Sequence, residues 1–147
     1  MKSKLLILLI ILLPVAFACS QQPEPINFGT DDCIHCKMTI EDQRFGAEIV
    51  TKKGKILKFD ATECMINYLR KGKISEEEVA GFYVIDFSNP QKLIDAKKAV
   101  YLISPNLPSP MGANLSAFSS RSNADSQKQI SGGEIYNWDE VKEKIKK

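Results

Sequence analysis

Phe45-Gly46-Ala47-Glu48-Ile49-Val50-Thr51-Lys52-Lys53-Gly54-Lys55-Ile56-Leu57-Lys58-Phe59 sets the fold class. Phe45 to Thr51 is a β-branched run suited to a strand, Lys53-Gly54 is a turn signal, and Ile56 to Phe59 is a second short strand. The period then changes. Met65, Tyr68 and Leu69 fall at i, i+3 and i+4, which is one face of a helix that Asp60 or Thr62 can cap and that stops near Lys71-Gly72. Ser75 with Glu78 fits a capping box for one further turn, and Phe82 to Phe87 reads as a third strand.

Beyond the break at Asn89-Pro90, Leu93 to Ala96 leads to a strand candidate over Ala99 to Ile103, and a Pro-rich loop runs from Pro105 to Gly112. Leu115 to Ile130 is expected to form a Ser-rich helix of low propensity ended by Gly132-Gly133. Glu134 to Tyr136 is a short strand, and Trp138 to Lys147 a charged helix with Asn137 or Asp139 near its start. Both halves read as strand, connection, helix, strand. The expected class is α+β, two small related ββαβ-like units packed together, because too few long helices separate the strands for a doubly wound sheet. The units are expected over 31–88 and 89–147.

The N-terminus is built differently. Lys2 and Lys4 precede an uncharged aliphatic run from Leu5 to Ala18, as in a secretory signal over 1–18. The run is shorter than the ~20 residues that a spanning helix needs and contains Pro14. Ala16-Phe17-Ala18-Cys19 resembles a lipobox, which predicts acylation of Cys19, a membrane anchor through that lipid and a place in the cell envelope facing the periplasm. Residues 19–30, polar with Pro23 and Pro25, are expected to be a flexible tether. Of the 20 lysines and arginines two lie in the signal, which leaves 18 against 18 acidic residues and no electrostatic case for nucleic acid.

Acylation of Cys19 would leave Cys33, Cys36 and Cys64, an odd number of thiols outside the cytoplasm, so at least one is not paired within the chain. Cys33-Ile34-His35-Cys36-Lys37-Met38 gathers two thiols, the chain's one imidazole and a thioether in six residues. Soft sulfur ligands select Cu(I). If Cys36 to Met38 is extended, both sulfurs point to one side, and Cys33 joins them only if the chain turns. Cys64-Met65 opens the first helix, where the dipole favours a thiolate, and Met111 lies in the Pro-Gly loop. Each has a plainer alternative: Met65 in the core, Cys64 as a buried thiol or a disulfide partner of Cys33, His35 exposed, Met111 packed on Phe118. A zinc site lacks its usual second Cys or His pair. A thioredoxin-like motif would open a helix rather than precede the first strand.

These residues resemble the NosL family, lipoprotein copper chaperones of nitrous oxide reductase maturation. The likeness rests on Cys19, on Cys33-x-x-Cys36-x-Met38 with Thr39-Ile40, and on Lys58-Phe59-Asp60 leading to Cys64-Met65-x-x-Tyr68-Leu69. It continues through Leu93 to Ala96, Val100-Tyr101, Pro110-Met111-Gly112, Ala117-Phe118, Gly132-Gly133 and Trp138. The resemblance implies a non-enzymatic Cu(I)-binding accessory protein that passes copper toward nitrous oxide reductase with an ABC-type transport complex. It carries the ligand role onto Cys36 and Met38, with Met111 or Met65 completing the set.

Overall fold

The computed structural model describes residues 21–145. β1 (Ala47–Thr51) lies between β2 (Ile56–Phe59) and β3 (Val79–Ile85), and β4 (Leu93–Asp95) closes the far edge of this antiparallel sheet. β5 (Val100–Ile103) lies between β6 (Leu115–Phe118) and β7 (Glu134–Tyr136) in a second antiparallel sheet. Helix α1 (Thr62–Arg70) joins β2 to β3, α2 (Arg121–Ser131) joins β6 to β7, and α3 (Trp138–Lys144) follows β7. The first strand of each set is therefore central, its hairpin partner lies on one side, and the strand after the helix lies on the other. That is the repeated ββαβ pattern.

The two sheets share one core. Trp138 packs its ring between Phe82 of β3 (5.8 Å) and Tyr101 of β5 (5.9 Å), and the buried Tyr101 hydroxyl donates to the Ala96 carbonyl (2.7 Å). α1 packs on β1 and β2 and also touches β6, so its buried face serves both units. Local signals hold at several ends. Ser75 and Glu78 form the expected capping box around a single 3-10 turn, and Asn137 with Glu140 forms another at the start of α3. The start of α1 differs, for its N-cap is Ala61, with no side-chain bond.

Three expectations are corrected. Leu115 to Phe118 is a strand and not the first turn of a helix. All four residues are buried, Leu115 and Ala117 in the main core and Phe118 in a second cluster with Leu102 and Ala124. Apolar residues at i and i+3 suit a helix, but β5 alongside supplies a ladder, and Ser120 caps the true helix by accepting from the Asn123 N–H (3.2 Å). Leu93 to Asp95, assigned by sequence to the second unit, pairs with β3, so the change of sheet falls after Asp95. The third correction concerns the tether.

Residues 21–30 are laid on the domain. Ile26 is buried in the core, the Glu24 N–H donates to Glu48 Oε2 (3.2 Å), and Lys58 Nζ donates to the Pro25 carbonyl (3.0 Å) and to Asp31 (2.6 Å). Gly46, at φ +120°, leaves the room that Ile26 uses: a Cβ there would stand 3.0 Å from Ile26 Cδ1. The segment explains how Glu48, in a central strand, comes to be fully buried. Burial pushes its carboxyl up to about 7, against the Glu24 N–H and the Lys58 charge, which favour ionisation.

A carboxyl raised above its ordinary 4.5 supports the fold while protonated, and that support fades as pH rises through about 7. Glu48→Gln keeps the shape without the charge. It is expected to match the native chain at pH 5.5 and to exceed it by about 2 kcal/mol at pH 8.5. Thermal melts of the metal-free protein at the two pH values check this; an equal offset at both would show that ionisation of Glu48 is not involved.

Candidate metal centre

The Cys33 loop closes on itself before it meets the rest of the site. Asp32 and Thr39 pair as a bridge, the Cys33 N–H donates to the Met38 carbonyl (2.8 Å), and the Lys37 N–H donates back to the Cys33 carbonyl (2.9 Å). Lys37 takes a left-handed conformation, φ 66°, so Cys36 to Met38 is a tight turn and not the extended segment that would align their side chains. This turn brings Cys36 back over Cys33, whose sulfur accepts from the Cys36 N–H (3.5 Å).

One hydrogen bond, from the Ile34 N–H to the Lys58 carbonyl (3.0 Å), pins the loop to the end of β2. The chain enters α1 three residues later, so the loop faces the N-terminal turn that carries Cys64. The sulfurs of Cys33, Cys36 and Cys64 all lie within 4.8 Å of one another. Thiolate–metal bonds of about 2.3 Å around one ion would place sulfurs about 4 Å apart, within reach of small side-chain adjustments. Cys33 and Cys64 are buried, Cys36 is half-buried, and all three are free thiols.

The Cys64 thiol, helped by the backbone N–H groups of Cys36 and Asp60, lowers the Cys33 thiol despite its burial. The same contact, together with burial, pushes Cys64 up, and burial raises Cys36. The lowered thiol lies beside Cys64 at the N-terminal turn of α1, where the helix dipole favours a thiolate.

A cavity of about 480 Å³ opens beside this cluster between the two units. His35, Glu63, Cys64 and Asn67 wall it from the first, and Ile103, Met111, Tyr136 and Lys144 from the second. The buried Glu63 carboxyl, raised by its desolvation, accepts from the Ser109 hydroxyl, and Ser109 accepts from the Asn114 N–H (2.9 Å). That chain of bonds ties the Met111 loop to the start of α1. Met111 is 40% exposed at the cavity, and His35 sits edge-on to Tyr68 at 6.3 Å.

The structure thus gathers Cys33, Cys36 and Cys64, with His35 and Met111 on the adjoining cavity. Met38 is 53% exposed, and Met65 is fully buried in the core. Glu63, Asn67, Tyr136 and Lys144 escaped the sequence reading, since neither spacing nor chemistry marks them. Cys19 and the signal lie outside the described residues. Among the described residues no helix is long and apolar enough to cross a membrane.

The family model for NosL matches residues 25–146. The fold is similar to a crystal structure of the copper chaperone NosL from Shewanella denitrificans, with 26% identity over 82% of this chain and 96% of that one and a TM-score of 0.70. Comparison with curated proteins gave no match.

Proposed function

Because the chain belongs to the NosL family, we propose that its three-sulfur cluster carries Cu(I) as cargo and that the protein is a copper chaperone and not an enzyme. The convergence of the Cys33, Cys36 and Cys64 sulfurs within 4.8 Å carries this reading. Three soft donors suit a monovalent polarisable ion, and the four-ligand closure of a structural zinc site is not needed to hold it.

Release follows from the unequal burial of the three. Cys33 and Cys64 hold the ion from the core side, while Cys36 is the sulfur that solvent and a recipient can approach. A donor from the recipient adds to the metal as Cys36 leaves, and the two buried sulfurs follow, so no free aqueous Cu(I) forms. His35 and Met111 wall the cavity that Cys64 also lines and are the candidates to steady the ion during exchange, while Met38 is exposed to solvent.

The further assignment is a lipoprotein acylated at Cys19, with palmitate among its acyl chains, held on the periplasmic face of the cell envelope. Its recipient is nitrous oxide reductase or the ABC-type complex of that enzyme's maturation. The lipobox-like stretch Ala16 to Cys19 and the family likeness support this.

The test is a Cu(I) titration of the reduced mature chain against a chromogenic chelator. One Cu(I) retained per chain is expected. Turnover of a disulfide substrate without copper retention would replace the carrier reading with a thiol-disulfide enzyme.

A further inference from the structure

The first described residues run along the first sheet to the β1–β2 turn. Ile26 is held in the core, Glu24 bonds to Glu48, and Gln21 Nε2 donates to the Lys52 carbonyl (3.1 Å) at the β1–β2 turn. Cys19 is two residues before Gln21 in the sequence. A diacylated Cys19 would therefore hold this turn close to the bilayer surface.

The surface at that point is basic. Lys52, Lys53, Lys55 and Lys73 are exposed around a shallow groove of about 500 Å³, floored in part by Leu57, Tyr68 and Ile74. The acidic groups on the groove are Glu77 and Glu78, and the Glu78 carboxylate accepts from the Ser75 N–H (3.1 Å). Four ammonium groups against two carboxylates is a local excess in a chain whose mature charge is balanced. Long lysine stems let the charges reach headgroups while the apolar floor stays covered.

We propose that this lysine-rich end of the first sheet lies against anionic phospholipid headgroups when the protein is anchored. The proposal rests on the lipid anchor at Cys19. With the acyl chains supplying the anchorage, the adjoining basic patch adds attraction to anionic headgroups that sets which face lies on the bilayer. Lys73 and Tyr68 also line the hollow formed with His35 and Lys37, so the Cys33 loop adjoins the lipid-facing end. Cargo is thereby presented near the membrane surface, where a membrane-bound recipient can reach it.

Lysine reactivity tests the orientation. The acylated chain, placed on vesicles of phosphatidylglycerol with phosphatidylethanolamine or of phosphatidylcholine alone, is acetylated briefly and read lysine by lysine by mass spectrometry. On anionic vesicles Lys52, Lys53, Lys55 and Lys73 are expected to react about 5-fold more slowly than on phosphatidylcholine, and roughly 0.5 M salt should abolish the difference. Lys92, beyond the opposite end of β3, and Lys128 on α2 should not change. Equal rates on both vesicles, or protection centred on Lys92 or Lys128, would overturn the proposal. If the N-terminal peptide carries no lipid, the anchor reading fails by itself. A chain with hexahistidine in place of Cys19, on nickel-chelating vesicles of the same compositions, then decides the lysine face: the same pattern supports it and uniform rates overturn it.

Discussion

Replacing any one of Cys33, Cys36 or Cys64 with serine is expected to weaken Cu(I) binding by more than about 100-fold. Loss of a partner that merely orients a ligand already costs 10- to about 100-fold in metal affinity, so loss of a coordinating thiolate exceeds that range. The three replacements differ in their side effects. Cys36 is half-buried, and Cys36→Ser should leave the metal-free melting temperature within a degree or two. Cys33→Ser also removes the sulfur that accepts from the Cys36 N–H, so the loop itself loosens.

Met38→Leu and Met111→Leu provide the contrast. With three thiols as the principal donors, each thioether replacement should change affinity less than about 10-fold. Competition titration of the five reduced variants reads the order directly. Abolition by Met38→Leu with native affinity in Cys64→Ser would move the site to the exposed Cys36–Met38 pair and remove the three-sulfur account.

Gly133→Ala is the substitution expected to damage the fold most. Gly133 stands at φ +98°, and a Cβ there would lie 2.2 Å from the Ile103 carbonyl oxygen and 2.9 Å from the Ser104 Cα. These are backbone atoms at the end of the β5–β7 ladder, where Ile103 pairs with Glu134, so no side-chain rotation relieves the overlap. Moving the strands apart would also strain the bond from the buried Ser104 hydroxyl to the Ser131 carbonyl (2.8 Å). A loss of about 4 kcal/mol and a fall in Tm on the order of 15 °C are expected.

Gly132→Ala separates crowding from backbone conformation. Gly132 has φ +70° and ψ −162°, a region nearly confined to glycine, but nothing within 4 Å of its Cβ position, so its replacement should cost about 2 kcal/mol. Thermal melts of the two variants should therefore differ. Equal losses would mean that the left-handed backbone, and not contact with β5, is what demands glycine at 133.

Reading the chain as amino acids recovers what neighbouring residues decide among themselves. The period change after Phe59, the capping box at Ser75 and the stop at Gly132-Gly133 each depend on side chains a few positions apart, and each stands in the structure. The two ββαβ units were legible for the same reason, as was the concentration of sulfur in Cys33 to Met38. What spacing could not supply was the partner. Leu115 to Phe118 satisfies a helical or an extended reading until β5 is beside it, and Leu93 to Asp95 joins whichever sheet leaves an edge free. Cys64 lies 28 positions from Cys36, and the two meet because Ile34 bonds to the end of β2 just before α1 begins. Chain-local chemistry wrote the elements and supplied the donor atoms. Long-range pairing, which follows from satisfying backbone groups and burying apolar faces jointly, chose which sulfurs lie together.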